Sequence, residues 1–405
     1  MGHRGPTPGH GYRNPVLAAD WSDPDVIRVG TDYFLTASSF NRVPGLPVLH
    51  STDLVNWEII GHGLDRLTPM ERFAAPRHGC GVWAPAIRHH DHRFWIFYPD
   101  PDQGIFVITA TDPSGRWSRP HLLVAGSGLI DPCPLWDVDG RAYLVHAWAR
   151  SRAGVNNRLT MHRMRPDATG LLGAGQVVVD GDRLAGYRTL EGPKLYRRGD
   201  EYWIFAPAGG VVNGWQSAFR STDILGPYQD RIVLAQGDTP VNGPHQGALV
   251  DTPGGQDWFL HFQDRGAFGR VVHLQPVRWG PDGWPLIGDP PGSPVASGRM
   301  PVVVAGAGPG AGNDAGPAPT GADPPGRGPA GGDDFTGDRL GPQWFWPANP
   351  QPGWWRPGRP SGLRLACLPG PAGPDLRRLA NLLGQPDVTL LQLAQPHPVR
   401  APRGS

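Results

Sequence analysis

Residues 191–206 read EGPKLYRRGDEYWIFA. An acidic residue stands before Gly-Pro, and a short run centred on Leu195 follows. Gly199-Asp200 breaks that run, and an aromatic, strand-like segment resumes after it. The pattern is that of a hairpin of two short strands joined by a tight turn. Four more stretches share the layout. Their second segments are TDYFLTAS from Thr31, DHRFWIFY from Asp91, DGRAYLVH from Asp139 and GQDWFLHF from Gly255. With GDEYWIFA they align Phe34, Trp95, Tyr143, Trp203 and Phe259, at successive spacings of 61, 48, 60 and 56 residues.

A first segment precedes each of these. The five are DPDVIR from Asp23, WAPAIR from Trp83, DPCPLW from Asp131, EGPKLY from Glu191 and HQGALV from His245. Each has Pro or Gly at its second or third place and an aliphatic residue at its fifth (Ile27, Ile87, Leu135, Leu195, Leu249). Some units carry a third segment, such as STDLVNW from Ser51 and STDILGPY from Ser221. Helical periodicity is scarce, and Val, Ile, Tyr, Phe and Trp recur in short alternating runs broken by Gly, Pro, Asp and Asn. Five such units at regular offsets predict an all-β chain folded as a five-bladed β-propeller over residues 14–304. A β-sandwich gives no reason for the regular offsets.

In a propeller the first strand of each blade lines the central axis. The opening residues Asp23, Trp83, Asp131, Glu191 and His245 are then expected at one end of it. Each has an ordinary reading when taken alone. Asp23 and Asp131 precede Pro and suit turns. Glu191 suits an exposed turn, Trp83 a core position, and His245 a satisfied core histidine. Their shared register favours a common site. Burying carboxylates is costly unless they are paired or solvated, and clustered carboxylates push one another's pKa apart. Two opposed carboxylates beside an aromatic wall suit glycoside hydrolysis, with one as acid and one as base. Carboxylates and a histidine could also hold a cation, but no ligand spacing supports zinc.

The rest of the composition sets bounds. The formal net charge of +1 leaves no basic footprint for nucleic acid. Cys80, Cys133 and Cys367 form neither a disulfide framework nor a metal pattern. No apolar run is long enough to span a membrane, and residues 1–14 hold no apolar signal core. A cytoplasmic location is expected, or secretion if a leader precedes this sequence. Nothing in the sequence speaks to oligomeric state. Residues 305–332 are rich in Gly and Pro and hold no aromatic, so they are expected to be a disordered linker.

These blocks resemble glycoside hydrolase family 43, the five-bladed propeller enzymes that include β-xylosidases and α-L-arabinofuranosidases. The resemblance rests on NPVLAADWSDPDVIRVGTDYFLTASSF from Asn14, GVWAPAI from Gly81, TLEGPKLY from Thr189, NGPHQGALVDTP from Asn242 and HFQDRGAFGRVVHLQPVRW from His261. It implies hydrolysis with inversion and assigns roles to matching positions. Asp23 becomes the general base, Glu191 the general acid, and Asp131 the group that orients the acid and tunes its pKa. Trp83 and Phe40 line the sugar pocket, His245 lies on the axis beneath the sugar, and Arg270 contacts substrate hydroxyls. No cofactor is required, although some members hold a structural calcium ion near His245.

The resemblance also marks departures. Arg42 and Val43 stand where many members have aromatics. Asp25 stands where Ser is common, which puts a second acid near the base. The segment from Asp333, DDFTGDRLGPQWFWPANPQPGWW, resembles the start of the β-sandwich domain of longer members, so residues 333–405 are expected to be an incomplete β-sandwich fragment. The implied substrate is an oligosaccharide from xylan or arabinan with a terminal xylose or arabinose. The rival expectation is a non-catalytic carbohydrate-binding propeller, or a truncated and inactive glycosidase.

Overall fold

A computed structural model of the chain describes residues 11–301, 333–358, 362–368 and 375–386. It contains five four-stranded sheets, each antiparallel and each threaded in chain order. Blade I comprises Asp25–Val29, Asp32–Thr36, Gly45–Ser51 and Glu58–Leu64. Blade II comprises Ala86–His90, Arg93–Asp100, Gly104–Ala110 and His121–Ala125. Blade III comprises Leu129–Trp136, Ala142–Trp148, Arg158–Met164 and Leu171–Asp180. Blade IV comprises Lys194–Arg198, Glu201–Ala208, Trp215–Ser221 and Gln229–Leu234. Blade V comprises His245–Asp251, Asp257–Asp264, Arg270–Trp279 and Pro285–Ile287.

The five hairpins noticed in the sequence are the first two strands of each blade. Their register follows from the length of each turn and from where along the strand it falls. Blades I, II and IV turn through two residues, and Gly30, Asp91, His92 and Gly199 adopt the left-handed conformations that such turns use. Blades III and V turn through longer loops between Trp136 and Ala142 and between Asp251 and Asp257. Phe34, Tyr143 and Phe259 therefore face Ile27, Leu135 and Leu249. In blades II and IV the pairing moves by one residue, and Ile87 and Leu195 face Ile96 and Ile204 instead.

The core lies between blades. Successive residues of a strand point to opposite faces, and in a propeller both faces are covered. In blade IV, Trp203 and Phe205 pack toward blade V with Phe259 and Trp284. Ile204 and Ala206 pack toward blade III with Val145 and Leu159. Similar clusters join blades I and II, II and III, and V and I. This is why WIF and FWIFY read as unbroken apolar runs.

The ring closes through the segment before blade I. Leu17 pairs with Val272 on the outer edge of blade V, and Gly11–Arg13 pairs with Ser297–Arg299. Asn14 ties both together, donating to the carbonyls of Leu274 and Val295 and accepting from the Leu274 amide.

The described part of the C-terminal segment packs on blade I. Val43 and Trp346 exchange backbone hydrogen bonds of 2.8 and 2.7 Å. The Asn349 side chain bonds both the amide and the carbonyl of Leu67. Trp346, Ala348 and Trp354 form a small core of their own. Trp355–Pro357 pairs with Leu363–Leu365. The stretch expected to be a linker, 305–332, falls outside the described residues.

Candidate active site

Asp23, Asp131 and His245 converge as their repeat position requires, and each comes with local backbone distortion. Asp23 and Asp131 both adopt a left-handed φ of 56°. Asp131 lies at a register shift between Ile130 and Cys133, and His245 at another before Gly247. Such bulges re-aim side chains, and left-handed non-glycine residues concentrate at functional sites. In blade IV the equivalent freedom comes from Gly192, at φ 60°. A Cβ there would lie 2.8 Å from the Gln246 side chain, so the Gly after Glu191 is required by space as well as by conformation.

The carboxylates are held by different partners. Asp23 Oδ2 accepts from Ser38 Oγ at 2.6 Å, and its Oδ1 accepts from Arg270 Nη1 at 3.0 Å. Glu191 is half-buried, and its Oε1 lies 3.0 Å from Nε2 of the buried His245. The Glu191 amide donates to the Pro207 carbonyl, which fixes the turn to the next strand of its own blade. Asp131 is buried, and its Oδ2 accepts from the Gly192 amide at 2.7 Å, joining blade III to blade IV. Burial, together with the nearby Glu191 and Asp23 charges, raises the Asp131 carboxyl well above its ordinary range, opposed by the Gly192 amide and Lys194.

Arg270 anchors the far side. Its Nε lies 3.8 Å from Asp264, its amide donates to Asp20, and its guanidinium sits 4.7 Å over the Phe262 ring. Phe40 and Trp83 come together because Phe40 pairs with Val82. Trp83 is partly exposed, with Nε1 donating to the Gly79 carbonyl and Arg152 5.1 Å from its ring. Phe40, Asp264 and Arg270 line a cleft of about 600 Å³ whose other wall includes Phe345 and Pro347 of the C-terminal segment. Of the seven residues singled out from the sequence, hydrogen bonds and charge tie Asp23, Asp131, Glu191, His245 and Arg270 into one group, Phe40 and Arg270 line the cleft, and Trp83 follows the residue that pairs with Phe40.

Three features differ from expectation or were not foreseen. Asp25 does not join the base: two residues further along the strand, its Oδ2 accepts from the Ile87 amide and from Arg88, deeper in the axis. Arg42 lines the same cleft, and its partners there were not foreseen. It bonds Asp20 and lies 5.4 Å over Phe345 of the C-terminal segment. Ser38 was not foreseen, although it is the nearest partner of Asp23.

Among the described residues, no cluster of His, Cys, Asp or Glu gathers around His245 for the calcium ion that the family resemblance implies. Nδ1 of His245 is buried with no hydrogen-bond partner among the described residues, but calcium takes roughly six to eight oxygens. Among the described residues no group of three or more His, Cys, Asp or Glu is placed to hold a metal ion. Among them, also, no helix is long and apolar enough to cross a membrane.

Comparison with known proteins agrees with this geometry. Residues 12–285 match the model of Glycosyl hydrolases family 43, and residues 332–385 match that of the Beta xylosidase C-terminal Concanavalin A-like domain. The chain belongs to glycosyl hydrolases family 43. It is 39% identical over 380 residues to a Xylanibacter ruminicola protein that carries a provisional name, beta-xylosidase, covering 92% of this chain and 65% of that one. It is 32% identical to xylosidase/arabinosidase 43B of Humicola insolens, covering 67% of this chain and 54% of the relative. The chain therefore spans less than two thirds of the length of these curated relatives. Among solved structures, "Bacteroides ovatus Xyloglucan PUL GH43B" superposes with a TM-score of 0.75 at 28% identity, covering 94% of this chain and 72% of that one.

Proposed function

We propose that this chain is an inverting exo-glycosidase that releases terminal pentoses, xylose or arabinose, from oligosaccharides derived from xylan or arabinan. The observation that carries the reading is the set of three carboxylates at one end of the axis, each with a different partner. In the proposed reaction Asp23 removes a proton from water, with Ser38 and Arg270 fixing its orientation. Glu191 gives its proton to the leaving oxygen while His245 holds one of its two oxygens. Asp131 orients the acid Glu191 and tunes its hold on the proton through like charge. Trp83 and Phe40 supply apolar walls for the sugar. The chemistry uses side chains and water alone. The pentose preference rests on the names of the two relatives above, a β-xylosidase and a xylosidase/arabinosidase.

The test is an assay of aryl β-D-xyloside and aryl α-L-arabinofuranoside with the wild type, Asp23→Asn and Glu191→Gln, reading the anomer first released by NMR. The expected result is turnover by the wild type, an inverted product, and at least a roughly 100-fold loss in each variant. Full activity in both variants would sink the assignment. Binding by calorimetry without any release would favour a carbohydrate-binding propeller.

A further inference from the structure

Glu191 follows a segment, 181–190, that runs from the last strand of blade III toward the first strand of blade IV. The backbone on both sides of it is unusual. Gly192 has a φ of 60°, and Thr189, two residues before the carboxylate, has a φ of 53°. A β-branched residue in the left-handed region is strained, and such strain persists only where surrounding groups over-determine it.

The groups that hold this backbone can be named. Leu190, between Thr189 and Glu191, is fully buried, and its amide donates to Asn157 Oδ1 at 2.9 Å. On the other side of Thr189, the Arg188 carbonyl accepts from the Gly209 amide at 2.7 Å. The Glu191 amide donates to the Pro207 carbonyl at 3.2 Å. The last two are main-chain bonds within blade IV. Asn157 instead reaches across from blade III, where it lies between the short helix Arg150–Ala153 and the strand Arg158–Met164.

Asn157 is suited to this contact. It is 4% exposed and has a φ of 60°, a conformation that Asn adopts more readily than most residues. Its Nδ2 donates to Asp182 Oδ1 at 2.7 Å and to the Tyr187 carbonyl at 3.4 Å, which turns Oδ1 toward Leu190. Its own carbonyl accepts from the Gly181 amide at 2.8 Å. A Cβ at Gly181 would lie 2.5 Å from Asn157 Oδ1, so the glycine leaves room for the side chain. One buried amide thus ties Asp182, Tyr187 and Leu190 together, the start, middle and end of the segment.

Such ties could serve only to hold a loop. Their placement argues for more. Leu190 shares a core cluster with Ile130, and these two residues immediately precede Glu191 and Asp131. Trp83 packs against the same cluster. The bond from His245 fixes one oxygen of Glu191, but the reach of the carboxyl also depends on the backbone that carries it.

We propose that Asn157 is a positioning residue for the acid Glu191: through the Leu190 amide it holds the left-handed turn at Thr189, and so sets the reach of the Glu191 carboxyl toward the leaving oxygen. The inference rests on the function proposed above.

The experiment compares two glycosides of the sugar that the wild type releases, one with phenol and one with 2,4-dinitrophenol as leaving group. Phenol needs a proton from the acid to depart, whereas the far more acidic dinitrophenol departs without one. A displaced acid therefore slows the first substrate and spares the second. Loss of folded protein slows both alike. Glu191→Gln sets the scale of a complete loss of the acid.

Asn157→Gly tolerates the same φ and removes only the side chain. It is expected to lose about 100-fold in kcat on the phenyl glycoside and far less on the dinitrophenyl glycoside, with KM little changed. Asn157→Asp combined with Asp182→Asn keeps an acceptor for the Leu190 amide and a hydrogen bond to position 182 with the roles exchanged, so its ratio of the two rates should stay near that of the wild type. Equal losses on both substrates in Asn157→Gly overturn the inference, and so does a double variant whose ratio matches that of Asn157→Gly. If Asn157→Gly fails to fold, Asp182→Ala, at an exposed position, decides by the same ratio: a shift in the direction of Glu191→Gln supports the inference, and an unchanged ratio overturns it. A wild type that turns over neither glycoside overturns the function proposed above and this inference with it; an active wild type with an unchanged ratio in the variants overturns this inference alone.

Discussion

Glu191 crosses from blade IV to meet His245 of blade V, with 3.0 Å between Oε1 and Nε2. His245 is buried with Nε2 toward Glu191, and an ionised carboxylate can only accept, so the contact calls for hydrogen on Nε2. The contact fixes one oxygen of Glu191 and leaves the other to act. Small displacements of a reacting group cost about 100-fold in rate. His245→Phe, which keeps the ring volume and loses the donor, is therefore expected to lower kcat by about 100-fold with little change in KM. Steady-state kinetics checks this, and an unchanged kcat would show that Glu191 is oriented by other groups.

Arg270 plays the matching part for Asp23. Its guanidinium reaches Asp23 with Nη1 while Nε lies near Asp264, a two-sided grip that an ammonium cannot copy. Arg270→Lys is expected to lose nearly as much kcat/KM as Arg270→Met, about 100-fold or more in each. Recovery of most activity by the Lys variant would mean that charge alone suffices.

Much of this was legible in the sequence because a propeller repeats. The Gly, Asp and aromatic punctuation of five hairpins fixed both the blade count and the shared position of Asp23, Trp83, Asp131, Glu191 and His245. Ser38, Asp20 and Asp264 were not legible. Each lies in a loop or at a strand end, where no periodicity marks direction, and each matters only because chain-distant segments meet there. Asp25 was misread for a related reason. Residues 23 and 25 share a face by the period of a strand, but one repeat further along that face is deeper in the axis, where Arg88 and Lys194 wait. The placement of the C-terminal segment on blade I depends on long-range pairs such as Val43 with Trp346, which local pattern cannot show.

That docking gives another prediction. Trp346 is 3% exposed, pairs its backbone with Val43 and packs against Trp354. Truncating a buried Trp to Ala costs about 3–5 kcal/mol. Trp346→Ala is expected to free the C-terminal segment while the blades stay folded, since its side chain packs in a separate small cluster with Ala348 and Trp354. Limited proteolysis checks this: faster cleavage after Asp333 with an intact 14–301 core is expected. Equal cleavage rates in variant and wild type would show that the segment is held elsewhere.

The pH dependence of stability follows from groups on both sides of neutrality. Burial lowers His146 and His261 from 6.5 to about 4. For a base with a depressed folded value, the unfolded chain binds the proton first. The stability these residues contribute is present above about pH 6.5 and is lost as pH falls toward 4. Asp131 works in the opposite sense. Its folded value is raised, so its contribution is present at low pH and is lost as pH rises through that value. Thermal melts should therefore show Tm falling between about pH 6.5 and 4, with a shallower slope in His146→Gln and His261→Gln. Asp131→Asn, which cannot ionise, should gain Tm relative to the wild type on the alkaline side while losing activity. Its basic limb should also move to lower pH, because the neighbouring Glu191 no longer faces a like charge. If Asp131→Asn melts in parallel with the wild type at every pH and its basic limb stays in place, the buried carboxyl does not titrate with Glu191, and the proposed tuning role falls.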